Sequence, residues 1–319
     1  MAVDRLDEAL DAIVAQDARL ERLADGLATG EGPVWMGEQG RLVFTDVGIA
    51  PTAGKWEHVH DGRLLAWSRA RGIEVVRAPT ARMVGLARDG DGLVCCEGGG
   101  RCLSRIGPDG ARTVLAADWN GHKFSNPNDV AVRSDGSIYF TDSGAKPPER
   151  PFHGVYRLPP GGGAARLVAR DFQLVNGLAF SPDERILYVN DSHGLFASKS
   201  FFLGVGSINA YDVRPDGSLA NGRVLAGLRG ALPGVPDGMK VDRAGNVYCT
   251  GPGGVWIFDP GGRHLGTIVT APDGEAMQAT NLAWGGEDGG TLFITTCTSL
   301  LSIPMRARGI TVPGARSFR

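Results

Sequence analysis

A six-bladed β-propeller with four-stranded antiparallel blades is the fold this sequence predicts, and three observations carry the prediction. A two-part phrase returns along the chain, its apolar second half reading Leu42-Val43-Phe44-Thr45-Asp46, Leu93-Val94-Cys95-Cys96-Glu97, Ile138-Tyr139-Phe140-Thr141-Asp142, Leu187-Tyr188-Val189-Asn190-Asp191, Val247-Tyr248-Cys249-Thr250-Gly251 and Leu292-Phe293-Ile294-Thr295-Thr296. The leading position of the first half holds Glu31, Val84, Asn128, Asn176, Asp237 and Thr280, at spacings of 53, 44, 48, 61 and 43 residues. That recurrence belongs to a repeated supersecondary unit rather than to a doubly wound sheet. Within each unit the apolar runs are short, rich in β-branched and aromatic residues, and bounded by turn residues, which is how strands read.

Each unit is predicted to contain four strands. The first run leads into a turn such as Arg88-Asp89-Gly90-Asp91-Gly92 or Ser134-Asp135-Gly136, where Gly and Asn tolerate the positive φ angles of a tight hairpin. The second run is the apolar half of the phrase. A third strand follows, as in Gly154–Leu158, Ser207–Tyr211 and Gly254–Phe258, then a turn such as Arg214-Pro215-Asp216-Gly217, then a fourth strand, as in Ala165–Val168 and Gly222–Leu225. Antiparallel blades of this kind pack around a central channel. The sixth unit lacks an outer strand. The segment Arg19–Leu23, just before the first phrase, is expected to supply it and to hide an edge otherwise open to aggregation. Residues 1–17 read as a short amphipathic helix with Leu6, Leu10, Ile13 and Val14 on one face. Residues 18–319 then form one propeller domain, since the repeat leaves no linker.

Composition narrows the function. With 42% hydrophobic residues the chain can build a large core, and its 48 glycines suit many tight turns. The net charge of −2 comes from acidic and basic residues mixed along the chain, so no nucleic-acid partner is expected. The start lacks the pattern of a signal peptide and no long apolar run follows, so no membrane association is expected. The five cysteines, two of them adjacent at Cys95 and Cys96, do not read as a disulfide framework. They are expected to be small buried hydrophobes in a protein of the reducing cytoplasm. Oligomeric state is not legible.

Propeller geometry gives the leading positions a meaning. Residues just before the innermost strand of each blade form a ring at one mouth of the channel, so Glu31, Asn128, Asn176 and Asp237 are predicted to converge. Carboxylates gathered there repel each other and lose hydration unless a cation joins them. Oxygen-only ligands suit a hard ion, with Ca²⁺ first and Mg²⁺, Mn²⁺ or Zn²⁺ as alternatives. Asn and Asp before a strand are also common turn formers, an explanation that does not extend to Glu31. The histidines at 58, 60, 122, 153, 193 and 264 lack metal-ligand spacing, and the Gly98–Gly100 and Gly161–Gly163 runs open no helix that would cradle a phosphate.

The segments Glu31-Gly32-Pro33-Val34-Trp35, Asn126-Pro127-Asn128-Asp129-Val130, Asn176-Gly177-Leu178-Ala179-Phe180 and Pro236-Asp237-Gly238-Met239 resemble, in order, the signature segments of the gluconolactonase, senescence-marker-protein and luciferin-regenerating-enzyme family. The resemblance implies a six-bladed propeller whose Glu31, Asn128, Asn176 and Asp237 hold one divalent metal. It also implies hydrolysis of a sugar lactone to its aldonic acid. Asp237 is then the candidate general base or nucleophile, Asn128 serves metal and substrate, and Asn126, where some members carry a basic residue, is a substrate contact. Two loops on the metal face, 143–153 and 192–206, are candidates for setting specificity. The rival readings are a phosphotriester hydrolase on the same site and a noncatalytic propeller using the metal as a structural pin.

Overall fold

Six antiparallel sheets arise where the phrase pattern places them. The computed structural model describes residues 2–310 apart from 53–54, 145–146, 148–149, 194–204 and 271–277. Blade 1 runs outward from Gly30–Met36 through Arg41–Asp46 and Arg63–Ser68 to Gly72–Arg77. Blade 2 comprises Met83–Asp89, Gly92–Glu97, Cys102–Ile106 and Arg112–Ala116, and blade 3 comprises Pro127–Val132, Ile138–Asp142, His153–Leu158 and Arg166–Phe172. Blade 4 comprises Val175–Phe180, Ile186–Asp191, Val205–Val213 and Leu219–Arg229. Small hairpins, Ile49–Thr52 with Lys55–His58 and Asp118–Trp119 with His122–Lys123, decorate the first two blades.

The turns form for local reasons. Asp135 Oδ1 accepts the Ser137 N–H at 2.8 Å around Gly136, which stands at φ +84°. Asp216 and Gly217 repeat the device in blade 4, with the Ser218 N–H at 2.9 Å and φ +79°.

The ring closes through the chain's two ends. Blade 6 is Ala279–Gly285, Thr291–Thr296 and Ser299–Pro304, and its outer strand is Glu21–Asp25 from the N-terminal segment, with Glu21 opposite Ser302. The innermost strand of blade 6 then lies against that of blade 1.

Blade 5 comprises Met239–Val241, Val247–Gly251, Gly254–Phe258 and His264–Val269, and it carries a fifth strand, Val3–Arg5, with Val3 opposite Ile268. The structure here departs from the helix expected over residues 1–17: after Val3–Arg5 comes a 3-10 helix at Glu8–Ala12, capped by Asp7. Leu10, Ile13 and Val14 are buried between blades 5 and 6, while Leu6 is 59% exposed. The free backbone edge of His264–Val269 accepts a strand, so pairing replaces the first helical turns and only the later apolar residues pack.

The core lies between blades. Val34, Met36, Val43, Leu64 and Ala66 of blade 1 interlock with Met83, Leu86, Leu93, Cys95 and Ile106 of blade 2. In blade 3, Phe140 stacks on Tyr156 at 5.6 Å, and Phe124 meets both rings edge-on at 5.1 and 5.2 Å. All five cysteines are free and buried, and burial pushes the thiols of Cys95 and Cys249 up to about 12. Among the described residues no helix is long and apolar enough to cross a membrane.

Candidate metal centre

The leading position of the phrase is a β-bulge. In five blades the pairing of the two innermost strands slips there: between Glu31 and Val34, between the partners of Met83 and Leu86, between Pro127 and Val130, between Val175 and Leu178, and between Ala279 and Asn281. A bulge releases one residue from the pleat and re-aims its side chain. In blade 5, Asp237 and Gly238 stand just ahead of Met239–Val241.

The two residues closing each phrase hold these bulges. Thr141 Oγ1 accepts the Asp129 N–H at 3.0 Å, Thr250 Oγ1 accepts the Asp237 N–H at 2.9 Å, and Thr295 Oγ1 accepts the Asn281 N–H at 3.1 Å. Asn190 bridges two blades, its Oδ1 accepting the Gly177 N–H at 3.0 Å and its Nδ2 donating to the Asp237 carbonyl at 2.5 Å. The final carboxylate clamps the chain on its way into the ring. Asp46 accepts the N–H groups of Ala28 and Thr29 at 3.1 Å, Asp142 those of Ser125 and Asn126 at 2.9 and 2.6 Å, and Asp191 those of Gln173 and Leu174 at 3.0 and 2.8 Å. Their recurrence at the phrase ends was a signal available in the sequence, although the reason for it is tertiary.

Three of the four predicted ring residues share one electrostatic environment. Glu31 and Asn176 are buried, and Asp237 is half-buried. Burial is the main cause that raises the Glu31 carboxyl to about 7, with Asp129 adding to it and the Asn281 amide opposing it. Burial, then the charges of Glu31 and Asp129, hold the Asp237 carboxyl well above its ordinary range, and a hydrogen bond from Asn176 opposes them. Asn128 is half-buried and donates from Nδ2 to Ser143 Oγ at 2.9 Å, so its amide keeps Oδ1 as acceptor. Thr280 is spent elsewhere, its hydroxyl donating to the Gly30 carbonyl at 2.5 Å, and Val84 offers no ligand atom.

This donor set fits a hard divalent cation. Asn176 donates to Asp237, yet its Oδ1 is buried with no hydrogen-bond partner among the described residues, an arrangement that a cation relieves. Among the described residues, Glu31, Asp129 and Asp237 are the carboxylates here, and Lys240 is the cation acting on Glu31 and Asp129. Fully ionised, the four leave the negative charge that one divalent ion neutralises. Among the described residues no group of three His, Cys, Asp or Glu side chains converges as a metal cage; half of this ring's proposed donors are amide oxygens.

A large cavity lies at the other end of the channel. It measures about 1170 Å³ and is walled by the downstream ends of the innermost strands, including Trp35, Val132, Phe180 and Trp284, with Lys240 also in its lining. Volume therefore does not mark the ionisable centre in this molecule. Of the remaining predicted residues, Asn126 is half-buried and held through its N–H by Asp142. In loop 143–153, Arg150 is buried with Nη1 2.8 Å from Asp142 Oδ2, whereas Lys146 and Glu149 lie outside the described residues. In loop 192–206, His193 pairs with Asp191 at 3.2 Å, and Phe201 and Phe202 lie outside the described residues.

Residues 29–298 match the SMP-30/gluconolactonase/LRE-like region. The chain belongs to that family. It is 29% identical to a gluconolactonase of Zymomonas mobilis, over 96% of this chain and 87% of that protein. It is 26% identical to a pentonolactonase of Haloferax volcanii, over 84% of this chain and 81% of that protein. Among solved structures, a gluconolactonase of Xanthomonas campestris superposes with a TM-score of 0.78 at 34% identity, covering 96% of this chain and 95% of that one.

Proposed function

We propose that this SMP-30/gluconolactonase-like chain is a metal-dependent lactonase that opens a sugar lactone to the aldonic acid, working at the ring of Glu31, Asn128, Asn176 and Asp237. The observation that carries the reading is the pair of mutually repelling carboxyls, buried Glu31 and half-buried Asp237, beside an Asn176 Oδ1 buried without a partner among the described residues. The relatives in Zymomonas, Haloferax and Xanthomonas, two gluconolactonases and a pentonolactonase, support the sugar-lactone class. A divalent ion, Ca²⁺ first by its taste for oxygen ligands, would supply Lewis-acid polarisation of the lactone carbonyl and charge for the developing oxyanion.

The chain's own residues divide the remaining work. Glu31 is closed in, with Oε2 accepting from the Gly32 N–H and from Asn281 Nδ2, both at 3.0 Å, and so serves as a fixed ligand. Asp237 is half-buried and, among the described residues, its carboxyl takes a side-chain hydrogen bond from Asn176 alone. Its carboxylate takes the proton of the attacking water, or attacks the lactone carbonyl itself. Asn128 orients the substrate oxygen at the ring, and Asn126, two residues upstream, contacts the sugar. The cytoplasm is the proposed compartment, a reading supported by the five free cysteines, which suit a reducing environment.

The test is hydrolysis of a panel of aldonolactones followed by acid release, on protein stripped with a chelator and then resupplied with Ca²⁺, Mg²⁺, Mn²⁺ or Zn²⁺. Metal-restored lactone opening is expected. Turnover of phosphotriesters with no lactone opening would transfer the site to the rival hydrolase class, and inactivity on both would leave a binding module.

A further inference from the structure

A second ring lies immediately beneath the first. Its six positions, each following a leading residue, are Gly32, Gly85, Asp129, Gly177, Gly238 and Asn281. The glycines are sterically required. A Cβ at Gly177 would come within 2.1 Å of the Asp237 carbonyl, one at Gly32 within 2.4 Å of the Val84 carbonyl, and one at Gly238 within 2.2 Å of the Asn281 amide. Four blades therefore present bare backbone, and two side chains, Asp129 and Asn281, floor the channel.

Lys240 stands below that floor, its stem half-buried along the cavity wall. Its ammonium donates to Asn281 Oδ1 at 3.3 Å and to the Met239 carbonyl at 3.0 Å. Asn281 Oδ1 also accepts the Leu282 N–H at 2.8 Å, which sets the amide's orientation, and Nδ2 is then aimed at Glu31 Oε2 at 3.0 Å. A continuous chain thus runs from the ammonium through one amide to a carboxylate of the upper ring. Asp129 lies beside it, buried, with Oδ2 lacking a hydrogen-bond partner among the described residues and the ammonium as a nearby countercharge.

We infer that Lys240 is a positioning residue for the metal centre: by holding Asn281 Oδ1 it fixes the Asn281 amide, which in turn fixes the Glu31 carboxylate in its ligating orientation. This rests on the proposed metal site. Two consequences of Lys240 oppose each other. As a charge, it repels a cation in the ring above, so its loss would tighten binding. As an orienting group, its loss would free Glu31 and weaken binding, and partners of metal ligands commonly carry about 10- to 100-fold in affinity. The direct bonds through Asn281 place orientation first.

Calorimetric titration of chelator-stripped protein with Ca²⁺ separates the two, with thermal unfolding of the stripped proteins as a control for folding. Lys240→Met and Asn281→Leu are each expected to raise Kd by about tenfold or more. The double variant should be no weaker than the worse single one, because both cut the same chain. Lys240→Arg, whose longer side chain has the large cavity to occupy, should recover most of the affinity. Unchanged or tighter Ca²⁺ binding by Lys240→Met overturns the inference. Should that variant not fold, Asn281→Leu decides, since it removes the link without altering charge; wild-type affinity there overturns the inference equally. A chain that binds Ca²⁺ through this network but opens no lactone refutes the proposed activity alone, and a wild-type chain that binds no divalent ion overturns both.

Discussion

The two ends of the channel are made by the same six strands and are chemically opposite. At the upstream end, bulges turn Glu31, Asn128 and Asn176 out of the pleat, and burial, with the charge of Asp129 adding to it, raises the Glu31 carboxyl to about 7. At the downstream end, regular pairing presents Val132, Phe180 and Trp284 to a cavity of about 1170 Å³. Strand direction creates this polarity. A blade's innermost strand starts beside the clamp formed by the end of its neighbour, as at Asp46, Asp142 and Asp191, and it ends in a hairpin whose aspartate, such as Asp135 or Asp242, ties down N–H groups of its own turn alone. Chemistry belongs where the backbone is irregular and held; mere space accumulates where it is regular.

The sharpest way to break this comparison is at the end proposed to be reactive. Asp237→Asn is expected to lower kcat by about 10³-fold, the scale of a lost general base, while unfolding at nearly the wild-type temperature; near-normal turnover would remove Asp237 from the chemistry. The clamps come next. Asp142→Asn strips the charge facing the buried Arg150, 2.8 Å away, and is expected to reduce unfolding free energy by about 3 kcal/mol in denaturant titration. Glu31→Gln should weaken Ca²⁺ binding by about 100-fold in calorimetry, since it removes charge from the cation's partner and leaves the shape.

A smaller effect follows from protonation. Burial raises Glu31 from 4.5 to about 7, so across that window the metal-free folded state holds more protons than the unfolded chain. Its stability therefore falls as pH rises through the window, because the folded state increasingly bears an uncompensated buried charge. Cation binding displaces that proton and the one that burial favours on Asp237, so Ca²⁺ affinity should rise with pH by up to about tenfold per pH unit for each of the two protons. Titrations at four pH values between 5 and 8 would check the slope, and a flat profile would contradict it. The least change is expected at the far end, where Val132→Thr should alter kcat/KM by no more than about 0.5 kcal/mol of activation energy.

Much of the architecture was legible. The phrase ends Thr45-Asp46, Thr141-Asp142 and Asn190-Asp191 mark second strands, and Arg19–Leu23 lies within two residues of the observed closing strand Glu21–Asp25. The first residues read less well, because Leu10, Ile13 and Val14 satisfy a helical stripe whether or not the backbone before them is captured by an open sheet edge. In the candidate site the leading positions stand out by phase, and Glu31, Asn176 and Asp237 do interact. Lys240 and Asn281 were missed. A lysine three residues past Asp237 reads as an ordinary strand residue, and its partner is 41 positions away in the next blade.

By itself, the sequence determined the number of blades, the strands in each, the closure through both termini and the oxygen-bearing phase, because these depend on local periodicity and turn chemistry that each segment carries within itself. The tertiary structure decided which atoms meet. The bulge that turns Glu31 inward, the Asn190 amide that ties Gly177 to Asp237, and the ammonium beneath Asn281 all join residues of different strands or blades. Such contacts exist once packing has brought distant backbone within about 3 Å, the distance at which a hydrogen bond acts.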